Sequence, residues 1–193
     1  GMAFIPLLMG GPVLLFPVHI VFLEFVIDPA CSIVYEAEEG DAGLMGQPPR
    51  DPAEPLFNLN MLLVSFALGL SALAAVVLVY GWALRSGRSE GEVRALAFSA
   101  IVCCNLVMIH ATRSRDLSVF SSLAKPNTAL WWVTGGTLVA LATSLYVPVV
   151  AALFRFAPLA AVDVLVAVGA GFAGVAWYEI YKKVRPKSRA SSE

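Results

Sequence analysis

Long apolar runs alternate along the chain with short polar breaks, and the lengths of the runs predict its elements. The hydrocarbon core of a bilayer, roughly 30 Å thick, takes about 20 helical residues at a rise of about 1.5 Å each. Five runs reach that length, at about 13–37, 59–84, 90–111, 126–147 and 159–181. Residues 2–9 (MAFIPLLM) are too short to span, and Gly10, Gly11 and Pro12 cut them off from the first run, so they read as the last turns of a further helix. Ser89 followed three residues later by Glu92 is a capping box that starts the third run. Tyr80 and Trp82, Trp131 and Trp132, Tyr146, and the group Trp177, Tyr178 and Tyr181 stand near run ends, where aromatic side chains serve as interfacial anchors. The predicted fold class is all-α: a polytopic transmembrane helical bundle of five full spans after a partial N-terminal helix, forming a single membrane domain over residues 1–193.

Composition agrees with the pattern. Of 193 residues, 59% are hydrophobic and 14% charged, and the mean hydropathy is +0.78. These values place the chain in the lipid bilayer and exclude a nucleic-acid binder. Cys31, Cys103 and Cys104 all lie in apolar runs and are odd in number, which reads as small core residues and not as a disulfide framework. His19 and His110, near run ends, read as ordinary interfacial residues. Pairs of small residues four apart, Gly136 with Ala140, Ala167 with Gly171 and Ala170 with Gly174, allow close helix packing. The opening Gly1-Met2 falls inside an apolar run and reads as the start of a fragment, without the basic n-region of a signal peptide.

Charge adds an orientation. Arg50, Arg113, Arg115, Lys125, Lys182, Lys183, Arg185, Lys187 and Arg189 lie on one side of the predicted membrane, against Arg85, Arg88, Arg94 and Arg155 on the other. By the positive-inside tendency the first group is cytoplasmic, which makes 38–57 a cytoplasmic loop and 182–193 a cytoplasmic basic tail. Glu179 beside Lys182 and Lys183 reads as a solvated ion-pair cluster.

The first full run, PVHIVFLEFVIDPACSIVYEAE (Pro17 to Glu38), holds the candidate chemistry, because Glu24 and Asp28 lie in its middle. Four residues apart on a helix, they share a side and repel when both are ionised. A carboxylate at the bilayer centre costs roughly 2.5–3.5 kcal/mol, so such residues are rare away from ion or proton paths. Pro29 has no N–H for the carbonyl of Phe25 and is expected to leave that oxygen free beside the acids. Two carboxylates and a released carbonyl make a candidate site for a hard cation.

The polar stretch GLMGQPPRDPAEPLF (43–57), preceded by a helix carrying Asp28-Pro29, resembles the cytoplasmic loop between the sixth and seventh membrane helices of P-type cation-transporting ATPases, closest to calcium-pump-like members. The Gly10, Pro12 and Pro17-Val18 spacing is similar to that family's turn between helices five and six, and RSRDLSVF (113–120) resembles its loop after helix eight. The resemblance implies the end of helix five and helices six to ten. It matches Asp28 to the family's cation-binding aspartate, puts Glu24 where calcium pumps commonly have an Asn and Ile27 where they have a Thr, and places Asn105 at the polar position of helix eight. A charge gained at Glu24 and a hydroxyl lost at Ile27 leave the cation open, calcium or another hard cation.

Nothing in the chain matches the family's phosphorylated DKTGT segment, its TGE loop or its GDGxND segment. The resemblance therefore implies that the chain has no catalytic residues and no cofactor of its own, that ATP and Mg2+ bind only domains missing from it, and that its partners are the bilayer and the remaining helices and cytoplasmic domains of a pump. It also implies a multi-pass protein of the cell membrane with a cytoplasmic C-terminus. Alternatives that the residues leave open are a truncated, non-enzymatic membrane scaffold, a proton-pumping relative, and an ion-coupled carrier, for which the expected inverted internal repeat is not found.

Overall fold

The computed structural model describes residues 1–8, 10–38, 58–113 and 127–184. The loops at 39–57 and 114–126 and the tail from 185, including the PPR and RSRDLSVF matches apart from Arg113, lie outside the described residues. Helix α1 is Ile5–Leu8. The first span is α2 (Pro17–Phe22), a π-helical turn (Leu23–Ile27) and α3 (Asp28–Glu36). The others are α4 (Leu59–Arg85), α5 (Glu90–Thr112), α6 (Thr128–Tyr146) and α8 (Ala161–Val184), with a short α7 (Pro148–Phe154) before α8. Five of these units are long and apolar enough to cross a membrane, and no strand occurs among the described residues. The bundle agrees with the predicted class. It adds α7, which begins where Pro148 ends α6 and re-enters helix at its first position.

Local chemistry explains the ends. Gly10 takes φ +68, a conformation that only glycine adopts cheaply, and turns the chain out of α1. The Ser89 backbone N–H donates to Glu92 Oε2 at 2.9 Å while the Glu92 N–H donates to Ser89 Oγ at 3.3 Å, which is the predicted capping box. Asn58 and Asn127 cap α4 and α6 through their side-chain oxygens.

Helix α5 is the centre of the bundle: 67% of its apolar window is buried, against 18–39% for the other spans. It packs with α4 and α8 into a close triangle. Gly171 of α8 sits against the backbone of Cys103, and Gly174 against Ala72 of α4. Beside that contact Ser71 Oγ donates to the Gly174 carbonyl at 2.7 Å and accepts from Trp177 Nε1 at 2.7 Å. Gly136, by contrast, is exposed and meets nothing, so of the small pair of α6 only Ala140 packs against the core. Cys103 and Cys104 are buried, Cys31 is half-buried, and all three are free thiols. Lys182 stands 2.6 Å from Glu179 with its side chain 6% exposed, a more enclosed pair than the solvated cluster expected there.

One end of the bundle is tied by charge. Between α4 and α5, Arg88 Nη2 lies 2.6 Å from Asp163 Oδ1, and Asp163 Oδ2 accepts from the Ala160 N–H at 3.2 Å, which fixes the start of α8. The Asp163 side chain is 5% exposed. Removing it strips a charged partner from Arg88 and a cap from α8 together, so Asp163→Ala is expected to cost about 2 kcal/mol, at the level of a charge-assisted hydrogen bond. Asp163→Asn, which keeps an acceptor for Ala160, should cost less. Thermal inactivation midpoints of the purified protein in detergent check both.

Candidate cation site

Glu24 and Asp28 are brought to one region of the first span, though not by the regular helix turn expected of them. The Asp28 N–H donates to the carbonyl of Leu23, five residues back, and so closes a π turn. In such a turn the position above Glu24 falls between Asp28 and Pro29, so the two acids remain neighbours on a common side. Two carbonyls lose donors. Phe25 loses its ordinary partner four residues on because Pro29 has no N–H, as expected from sequence. The Glu24 carbonyl loses both backbone donors within its reach, Asp28 to Leu23 and Pro29 to its ring. That second released oxygen was not legible in the sequence, because it depends on the register of the turn.

Both carboxylates point away from the bundle: Glu24 and Asp28 are exposed, as are Phe25 at 77%, Val21 and Ile20 beside them. Ile27 faces the other way and is buried. Asn105 is half-buried on α5, the helix on which the wide turn packs. Among the described residues no hydrogen bond or ion pair joins Asn105, Glu24 and Asp28, and no group of three or more His, Cys, Asp or Glu side chains could enclose a metal ion. What the chain presents is an open set of donors: two carboxylates, released backbone oxygens and, on the neighbouring helix, one amide.

Each end of this span is pinned. At the start, His19 is fully buried and not interfacial as its position suggested. Its ring lies 5.1–5.3 Å from those of Phe98, Phe154 and Phe156, and its Nδ1 accepts from the Phe16 N–H at 2.9 Å. Arg94 and Arg155 each lay a guanidinium 4.8 Å from the Phe16 ring. Arg94 also donates to the carbonyls of Val13 and Arg155, at 3.2 and 2.9 Å. Tyr80, expected at the membrane interface, is instead fully buried and donates to the Pro12 carbonyl at 3.3 Å. At the far end, Tyr35 and Thr112 hydroxyls meet at 2.6 Å, and Glu38 pairs with Arg113 and accepts from Asn127 Nδ2 at 3.0 Å.

A span interrupted by a π turn beside two membrane acids marks a candidate functional site. The family described as "Cation transporting ATPase, C-terminus" matches residues 12–184. The chain belongs to that family. Curated proteins described as "Probable cation-transporting ATPase F", from Mycobacterium bovis and from two strains of Mycobacterium tuberculosis, are each 24% identical over 145 residues. The aligned part covers 74% of this chain and 16% of each relative, so the chain spans a small part of the length of the relatives it matches. As a member of the cation-transporting ATPase C-terminus family with five helices long and apolar enough to cross a membrane, it is a multi-pass membrane protein.

Proposed function

We propose that the chain supplies part of the cation pathway of an ATP-driven pump, with Asp28 as the principal ligand, Glu24 setting the charge of the site and Asn105 adding a neutral oxygen. The observation that carries this reading is the outward exposure of two carboxylates in the middle of a membrane span. Facing lipid, each would cost roughly 2.5–3.5 kcal/mol. That cost is avoided when further helices of the same pump cover the face and enclose a cation between them. An incomplete donor set is what one wall of such a site provides, and hard oxygen donors suit calcium or a similar hard cation over a soft metal. ATP and Mg2+ belong to domains outside this chain, where phosphorylation takes place. The orientation that goes with this reading puts the cluster of Glu38, Arg113 and Asn127 and the basic tail in the cytoplasm, in keeping with the excess of Lys and Arg on that side.

The test is cation-dependent phosphorylation and ATP turnover of the full-length protein, titrated with Ca2+, Mn2+ and protons. Under this reading Ca2+ or Mn2+ stimulates turnover, and Glu24→Gln raises the half-saturating concentration by about tenfold, the effect of removing about 1.4 kcal/mol of charge interaction. Turnover at saturating cation persists because an amide oxygen remains. Turnover indifferent to both metals and unaltered in Glu24→Gln would exclude the assignment, and stimulation by protons alone would favour a proton pump.

A further inference from the structure

The first span buries His19, Phe22, Ile27 and Val34. Ile27 and Val34, seven residues apart, are two α turns from each other and share a face. Phe22 and Ile27 do not fit that rule, since five residues carry a side chain about 140° around an α-helix. Yet both belong to the same buried cluster, Phe22 with its ring 5.3 Å from Phe98. The π turn at Leu23–Ile27 resolves the mismatch by placing one extra residue between the two pinned ends. The turn is thus a consequence of packing on either side of it. The far end cannot yield, because Val34 is fully buried against Ile109 and Leu130 and is followed by the Tyr35–Thr112 and Glu38–Arg113 contacts. Register is therefore decided at the start, where the His19 ring is walled by Phe98, Phe154 and Phe156 and tied to the Phe16 N–H.

We propose that His19 is a positioning residue for Glu24: seated among the phenylalanines, it holds the wide turn that fixes the angle at which Glu24 stands to Asp28 around the helix axis. The inference rests on the reading of Glu24 as a cation-binding group. Released from its seat, the Pro17–Phe22 segment is free to rotate until the α register returns. The Asp28 N–H then passes from the Leu23 carbonyl to that of Glu24, the released Glu24 oxygen is recaptured, and the Glu24 side chain passes from one side of Asp28 to the other around the helix axis. His19 itself makes no contact with the cation.

A double-mutant cycle in the full-length protein tests this, with Ca2+ as the probe and the half-saturating concentration for ATP turnover as the readout. His19→Ala is expected to raise that concentration by about tenfold, within the range of coupling between interacting residues, with maximal turnover changed far less. His19→Gln should stay nearer the native value, because a glutamine at this third helical position can accept from the Phe16 N–H as in a capping box. In a Glu24→Ala background His19→Ala should change half-saturation by a clearly smaller factor, because only the recaptured backbone carbonyl of residue 24 is then lost. If the His19→Ala factor is the same in both backgrounds, or if half-saturation is unchanged while only protein yield falls, His19 is structural and the inference is wrong. If Glu24→Ala alone leaves half-saturation at the native value, the cation-binding reading of Glu24 fails first and takes the inference with it. Should His19→Ala not accumulate, Phe154→Leu, which removes one wall of the same seat, goes through the same cycle with the same criteria.

Discussion

Asp28→Asn is expected to abolish cation-dependent phosphorylation of the full-length protein while leaving it folded and inserted. The substitution keeps the size of the side chain and one oxygen, and removes only the charge. Asp28 is exposed on the outer side of its span and makes no hydrogen bond or ion pair among the described residues, so no internal contact of the bundle is lost with the carboxylate. A structural aspartate would have shown the opposite pattern, like Asp163, whose carboxylate is buried and paired with Arg88. The loss should therefore appear in cation dependence and not in stability. Weakening by at least about a hundredfold corresponds to roughly 2.8 kcal/mol at the rule of about 1.4 kcal/mol per tenfold. The measurement is phosphoenzyme formation against Ca2+ concentration, alongside the thermal inactivation midpoint. Retention of the native concentration dependence would remove Asp28 from the site.

How much of this was legible beforehand depends on which physical constraint acts locally. The bilayer demands an unbroken apolar run, so the four later spans fall within about three residues of their expected limits. The Ser89–Glu92 box needs only its own four residues, and it forms as expected. Glu24 and Asp28 stand out in the sequence because a charge in an apolar run is conspicuous whatever the surroundings. Tyr80 and His19 were misplaced because a position near a helix end does not say which way the side chain points. Tyr80 turns inward to the Pro12 carbonyl, and His19 turns into rings contributed by α5, the end of α7 and the segment after it. The wide turn was the hardest to foresee. Pro29 announces a disturbed helix, but the choice of a π turn comes from the five-residue interval between Phe22 and Ile27, and only the packed bundle reveals that both must face it. Gly136 and Gly171 show the same limit: each belongs to a small-residue pair four apart, yet only one has a helix against it.

That contrast carries a second large effect. A Cβ added at Gly171 would lie 2.9 Å from the Cys103 carbonyl carbon, 3.0 Å from its oxygen and 3.2 Å from its Cβ. The first two obstacles are backbone atoms of the central helix, which no rotamer change can move aside. Because lipid tails are as apolar as the helix surfaces, a membrane bundle is held mainly by close packing and interhelical hydrogen bonds, and separating α5 from α8 sacrifices both. The nearby Ser71 bridge to Gly174 and Trp177 depends on the same approach of α8. Gly171→Ala should cost about 1–3 kcal/mol as an overpacked contact, and Gly171→Leu more than that, enough to leave little folded protein. Gly136→Leu adds the same volume where nothing lies within 4 Å and should leave stability close to native. Thermal inactivation midpoints and the monodisperse fraction in detergent distinguish the three variants. A Gly171→Leu protein as stable as Gly136→Leu would mean that α5 and α8 do not touch at Cys103.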